Sequence, residues 1–155
     1  MEWERYKNFI VDMDGVIYRG QHPLPGSADF FRFLRERNSK IAFFSNNSTI
    51  TKDQYVNKLK SMNIFATRDE IISSSSITAY YIAKEHPQSK VFCIGEEGIR
   101  DELQKSGIQI IDDSSNEKVD FVVVGMDRQF NFNKLTKAMR YVLRGAQLYL
   151  SLIHI

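Results

Sequence analysis

Asn8-Phe9-Ile10-Val11-Asp12-Met13-Asp14-Gly15-Val16-Ile17-Tyr18-Arg19-Gly20 is the stretch on which the fold turns. Its first part, Asn8 to Met13, reads as a strand. Phe9-Ile10-Val11 is too uniformly apolar for a strand with one wet face and suits a central parallel strand. The strand ends in Asp14-Gly15, which places two carboxylates at its carboxyl end, the edge of an open α/β sheet where ligands bind. Residues two apart on a strand share a face, so Asp12 and Asp14 reach one site if the extended backbone persists to Asp14. Two carboxylates that close repel unless a cation or a proton offsets the charge. Magnesium is the natural hard cation for an oxygen-only site. An isolated D-x-D-G is equally the start of a turn.

The pattern outward from this strand is α/β, with short β-branched or aromatic runs alternating with helical periodicity. Pro23, Pro25 and Gly26 punctuate a loop, and Ser27 reads as the N-cap of a helix reaching about Arg37 with Phe30, Phe31, Phe33 and Leu34 as its stripe. Lys40 to Ser45 is a second strand. Thr51 caps a helix from Lys52 to Met62 whose Tyr55, Val56, Leu59 and Met62 share a face. A short strand at Glu70 to Ser73 precedes a helix through Tyr81. His86-Pro87-Gln88-Ser89 marks a boundary, because proline disfavours helix at the residue before it, and gives two domains, 1–87 and 88–155. In the second come strands at Val91 to Gly95, Ile108 to Ile111 and Asp120 to Gly125, with helices near Gly98 to Ser106 and Asn133 to Arg144.

The second polar feature is Phe43-Phe44-Ser45-Asn46-Asn47-Ser48-Thr49, a strand end followed by a hydroxyl and two amides. Backbone N–H groups in a strand-to-helix turn, together with a serine hydroxyl, can cradle a phosphoryl oxygen. The same residues also serve ordinary caps and turns. Asp127 and Arg128 read as a solvated turn before the last helix.

Composition narrows the function. The net charge is +2 with 26% charged residues, which excludes the basic stripe of a nucleic-acid binder. No stretch approaches the roughly 20 apolar residues of a membrane span, and the N-terminus lacks a signal-peptide run, so a cytoplasmic protein is expected. Cys93, the single cysteine, lies in an apolar run and reads as a buried structural thiol. His22, His86 and His154 are too dispersed for a metal site.

D-M-D-G-V-I-Y-R-G followed by F-F-S-N-N-S-T resembles the first two motifs of the haloacid dehalogenase superfamily, and more narrowly its NagD-like, p-nitrophenylphosphatase-like branch. Val91-Phe92-Cys93-Ile94-Gly95-Glu96-Glu97-Gly98 and Val122-Val123-Val124-Gly125-Met126-Asp127-Arg128-Gln129-Phe130 are similar to that branch's C2-type cap, and the resemblance extends over residues 6 to 147. It implies part of a Rossmann-like parallel core in 1–87 and most of an α/β cap in 88–155. The implied chemistry is magnesium-dependent hydrolysis of small phosphorylated metabolites through an aspartyl phosphate. Asp12 is then the nucleophile and Asp14 the general acid and base. Magnesium is held by the Asp12 carboxylate and the Asp14 carbonyl. Ser45 and the Asn46 backbone hold the phosphoryl group, Asn47 lines the pocket, and Gly15 lets the backbone approach closely. Similar proteins dimerise through the cap, so a homodimer is a further expectation.

The family pattern continues with a lysine motif and an acidic pair after the cap. Neither occurs before Ile155, and Ser151 to Ile155 departs from the pattern, as a frame that stops short and runs into foreign sequence would. Such a chain is expected to be a weak phosphatase, with the edge of its first strand exposed. Two competing readings are a signalling receiver, which draws its acidic residues from separate strands, and a phosphate-binding or partner-completed module without turnover.

Overall fold

The computed structural model describes residues 5–112 and 117–151. The chain is α/β, and it divides into two compact units, Met1–Ser45 with Lys52–Ile72, and Asn46–Thr51 with Ser73–Ile155. The expected boundary at 87/88 falls inside the second unit, at the turn between the helix Ser74–Glu85 and the next strand.

In the first unit β1 (Asn8–Asp12) pairs in parallel with β4 (Lys40–Ser45), while β2 (Tyr18–Arg19) and β3 (His22–Pro23) form a small hairpin between them in sequence. β5 (Ile71–Ser73) completes a sheet of order β1-β4-β5. β4 is therefore the middle strand, and β1, whose apolar run suits a central place, lies at one end among the described residues, with the exposed edge expected of this chain. Ile10 of β1 is 79% exposed. Helices α1 (Ser27–Glu36) and α2 (Lys52–Ser61) supply the apolar faces that bury β4. Phe31 and Leu34 of α1, Phe43 of β4, and Tyr55 and Leu59 of α2 are all buried, with the Phe31 and Phe43 rings 5.0 Å apart. A Leu-sized side chain so enclosed contributes about 1.5–3 kcal/mol.

Two local readings shift. Gly26, at φ 83°, rather than Ser27, occupies the N-cap of α1; Ser27 is the first helical residue, and its hydroxyl donates to the Ile17 carbonyl at 2.9 Å. A hydroxyl used to tie down the preceding loop is not available to cap the helix. The two-residue strands β2 and β3 are too short to show a periodicity in the sequence.

In the second unit the helix α3 (Ser74–Glu85) begins at a reciprocal Ser73–Ser76 capping box, leads into β6 (Lys90–Ile94), and is followed by α4 (Glu97–Lys105) and β7 (Gln109–Ile110). β8 (Phe121–Val124), α5 (Phe132–Leu143) and β9 (Gln147–Leu150) complete a parallel sheet of order β7-β6-β8-β9. Helices cover both faces, which is why the central strands read as unbroken apolar runs. Val91 and Cys93 pack with Ala79, Ile82, Ile99 and Leu103 of α3 and α4 on one face. Phe92 and Ile94 pack with Ala138 and Tyr141 of α5 on the other. Cys93 is buried, as its apolar surroundings predict. Among the described residues no helix is long and apolar enough to cross a membrane. The tail reading of 151–155 falls, beyond Ser151, outside the described residues.

Candidate active site

The parallel register of β1 and β4 sets the geometry. Asp12 stands opposite Phe44, and the Met13 N–H donates to the Phe44 carbonyl at 3.1 Å, so the carboxyl ends of the two strands finish together. Asp12 and Asp14 are exposed while Met13 between them is fully buried, so the alternation of strand exposure continues through Asp14. Asp12 Oδ1 accepts the Met13 N–H at 2.9 Å, which fixes the rotation of the carboxylate. After Asp14 the chain turns sharply: Gly15 donates its N–H to the Tyr18 carbonyl at 2.8 Å with φ at 85°. A Cβ on Gly15 would meet no protein atom within 4 Å, so what demands glycine here is the left-handed backbone, not crowding by the protein.

The last residue of β4, Ser45, is buried at 1% exposure, and its Oγ lies 3.0 Å from the Tyr55 hydroxyl of α2. Burial pushes the Tyr55 phenol up to about 12; the Ser45 hydrogen bond pulls it back somewhat and the Asp14 charge adds to the rise. One turn further along α2, the Lys58 ammonium stands 3.7 Å from the centroid of the Tyr18 ring. Withdrawal from water lowers the Lys58 pKa, and the Asp14 carboxylate opposes that drop. Tyr18 is itself fully buried. Its phenol has no hydrogen bond of regular geometry, yet it lies within electrostatic reach of Asp14, and burial followed by that charge raises its pKa. Sequence reading placed Tyr55 on the buried face of its helix but missed Tyr18 and Lys58 as neighbours of Asp14. The tyrosine's position four residues after Asp14 was the available signal.

The segment after Ser45 belongs to the second unit. The Asn46 carbonyl accepts the Ser74 hydroxyl at 2.8 Å, while Asn46 remains exposed. Asn47 uses its side-chain oxygen within the turn, accepting the Thr49 N–H at 2.9 Å and the Thr49 hydroxyl at 2.7 Å. Ser48, fully buried, accepts the Met126 N–H at 3.1 Å, and the Thr49 carbonyl accepts the Gly98 N–H at 3.0 Å. Two partners distant in sequence thus fasten this loop.

Asp127, read as part of a solvated turn, is corrected by its surroundings. Its side chain is 4% exposed, pairs with Lys134 at 2.7 Å and accepts the Gln129 N–H at 2.9 Å. Arg128 is exposed as expected and makes a two-pronged pair with Glu96, whose carboxyl that contact holds down at about 2. These residues line an open polar cleft of about 490 Å³ within the second unit.

An oxygen-only pair of carboxylates at a strand end suits a hard divalent cation that keeps several waters. Among the described residues no group of three or more His, Cys, Asp or Glu side chains is assembled to hold a metal. The Asp12 carboxylate and the Asp14 backbone carbonyl, both oxygen donors, therefore fit a hard divalent cation as a partial, water-completed set.

Comparison with known proteins adds a relationship. The family model described as haloacid dehalogenase-like hydrolase matches residues 9–109. An acid sugar phosphatase of Staphylococcus saprophyticus is 36% identical over 144 residues, covering 93% of this chain and 54% of the relative. The 5'-nucleotidase YutF of Bacillus subtilis is 34% identical over 142 residues, covering 92% and 54%. Among solved structures, p-nitrophenyl phosphatase from Archaeoglobus fulgidus superposes with a TM-score of 0.86 at 38% identity, covering 94% of this chain and 55% of that one. The chain spans about half the length of the curated relatives it matches.

Proposed function

The chain belongs to the haloacid dehalogenase-like hydrolases, and from that premise we propose that it serves hydrolysis of small phosphomonoesters through an aspartyl phosphate on Asp12, with magnesium as cofactor. The observation that carries this reading is the shared strand end: two exposed carboxylates on alternate residues, Asp12 closing β1 and Asp14 two residues on, beside the end of β4 and its serine. The names of the relatives, a sugar phosphatase and a nucleotidase, support a phosphorylated metabolite as substrate.

The chemistry follows from the residues. An Asp12 oxygen forms a bond to phosphorus as the bond to the ester oxygen breaks, and Asp14 gives that oxygen its proton. Water then attacks the acyl phosphate, Asp14 takes the water's proton, and Asp12 is regenerated as phosphate leaves. Ser45 and the Asn46 backbone steady the phosphoryl oxygens, and Gly15 gives the turn its shape. Asn47 contributes by shaping the loop. The Asp12 carboxylate and Asp14 carbonyl would hold the magnesium, which when bound offsets the negative charge of the phosphoryl group. Among the described residues no group of three or more His, Cys, Asp or Glu side chains is assembled to hold the metal, and slow turnover is expected of this chain. The same observation favours a second reading, phosphate binding without turnover in a module completed by a partner. A homodimer through the second unit belongs to the proposal, supported by the exposed Phe132, Leu135, Met139 and Leu143 along α5.

The test is release of p-nitrophenolate from p-nitrophenyl phosphate by the purified chain, with magnesium and with chelator. Slow release that magnesium stimulates and Asp12→Asn abolishes is expected. Release unchanged in Asp12→Asn refutes the nucleophile, and phosphate binding without any release favours the second reading.

A further inference from the structure

Tyr55 is a large polar side chain that the proposed chemistry leaves unused and that touches Ser45, a residue of it. It is 1% exposed, sits on the inner face of α2, and brings its hydroxyl to 3.0 Å from Ser45 Oγ, itself 1% exposed. We propose that Tyr55 is a positioning residue: its hydroxyl donates to Ser45 Oγ and so turns the serine's own O–H toward the phosphoryl oxygen. This rests on the reading of Ser45 as a phosphate ligand.

Three features carry it. A serine hydroxyl rotates freely unless its oxygen is engaged, because its one proton and two lone pairs suit many partners. A donor held behind the oxygen narrows that freedom and sets the direction of the serine O–H. Tyr55 can fill this role since Ser45 ends β4, a middle strand, and Tyr55 lies on a helix buried against it; neither backbone needs to move. Burial also keeps the phenol protonated at neutral pH, so it has a proton to give. Hydrogen bonds in such a chain polarise one another, so the serine becomes a better donor to an anion than it would be alone.

Inorganic phosphate in the presence of magnesium is the probe, titrated by phosphorus NMR into four proteins: the unaltered chain, Tyr55→Phe, Ser45→Ala and the double variant. Tyr55→Phe keeps the ring that fills the core, and circular dichroism of each protein verifies the fold. Loss of one neutral hydrogen bond corresponds to about a fivefold weakening. The expected result is that weakening for Tyr55→Phe, a comparable or greater one for Ser45→Ala, and no further loss when Tyr55→Phe is added to Ser45→Ala. Unchanged affinity in Tyr55→Phe alongside a loss in Ser45→Ala overturns the positioning role and spares the reading of Ser45. So does an equal Tyr55→Phe loss in both backgrounds, which marks a merely structural effect. Unchanged affinity in Ser45→Ala, or no phosphate binding by the unaltered chain, overturns the reading of Ser45 itself and the proposal with it.

Discussion

Gly98 stands at the first turn of α4, where its replacement by alanine would ordinarily help: alanine is better than glycine in a helix by about 1 kcal/mol. Here the sign should reverse. A Cβ at this position would clash with the Ile50 carbonyl oxygen and lie 2.6 Å from the Ser48 carbonyl oxygen. Both obstacles are backbone, so neither can swing aside as a side-chain tip can. The Gly98 N–H also donates to the Thr49 carbonyl at 3.0 Å, and any shift of the loop stretches that bond. Overpacking costs about 1–3 kcal/mol and weakening the hydrogen bond up to about 1 kcal/mol. Set against the helix gain, Gly98→Ala should destabilise by about 2 kcal/mol. With a urea dependence of about 2 kcal/mol per molar, the unfolding midpoint followed by circular dichroism should fall by about 1 M. A midpoint equal to or above that of the unaltered chain would refute the close approach of this loop to α4.

The remaining predictions concern the first unit. For Glu70, burial alone would raise the carboxyl, but hydrogen bonds from Arg35 at 2.5 and 2.7 Å and from the Thr67 N–H outweigh it and hold the pKa below its ordinary 4.5. A folded value below the unfolded one stabilises at pH above about 4.5, and that contribution disappears as pH falls through the folded value. The urea-midpoint gap between the unaltered chain and Glu70→Gln should therefore narrow from pH 6 to pH 3, with a contribution of at most about 1 kcal/mol for this partly buried pair; a constant gap would contradict it. Ile10→Lys should reduce aggregation measured by light scattering while changing stability by less than about 0.5 kcal/mol, because Ile10 is 79% exposed on a strand at the end of its sheet. Undiminished scattering would show that this strand is not the adhesive surface.

What the sequence by itself determined was local. Strand and helix periodicities are short-range, so β4 emerged with both bounds as read, and β6, β8 and α5 to within a residue or two. The D-x-D pair at the end of β1 was legible because strand alternation fixes which side chains share a face. The burial of Cys93 followed from its apolar run. The tertiary structure decided what depends on neighbours remote in the chain. It brought Tyr55 to Ser45 and Lys58 to the Tyr18 ring, and assigned Asn46–Thr51 to the second unit. The hydrogen bond from Met126 to Ser48 spans 78 positions. No local pattern marks such a serine as buried, because its environment is made by residues whose approach is fixed only when β6 and β8 pair and α4 packs on them.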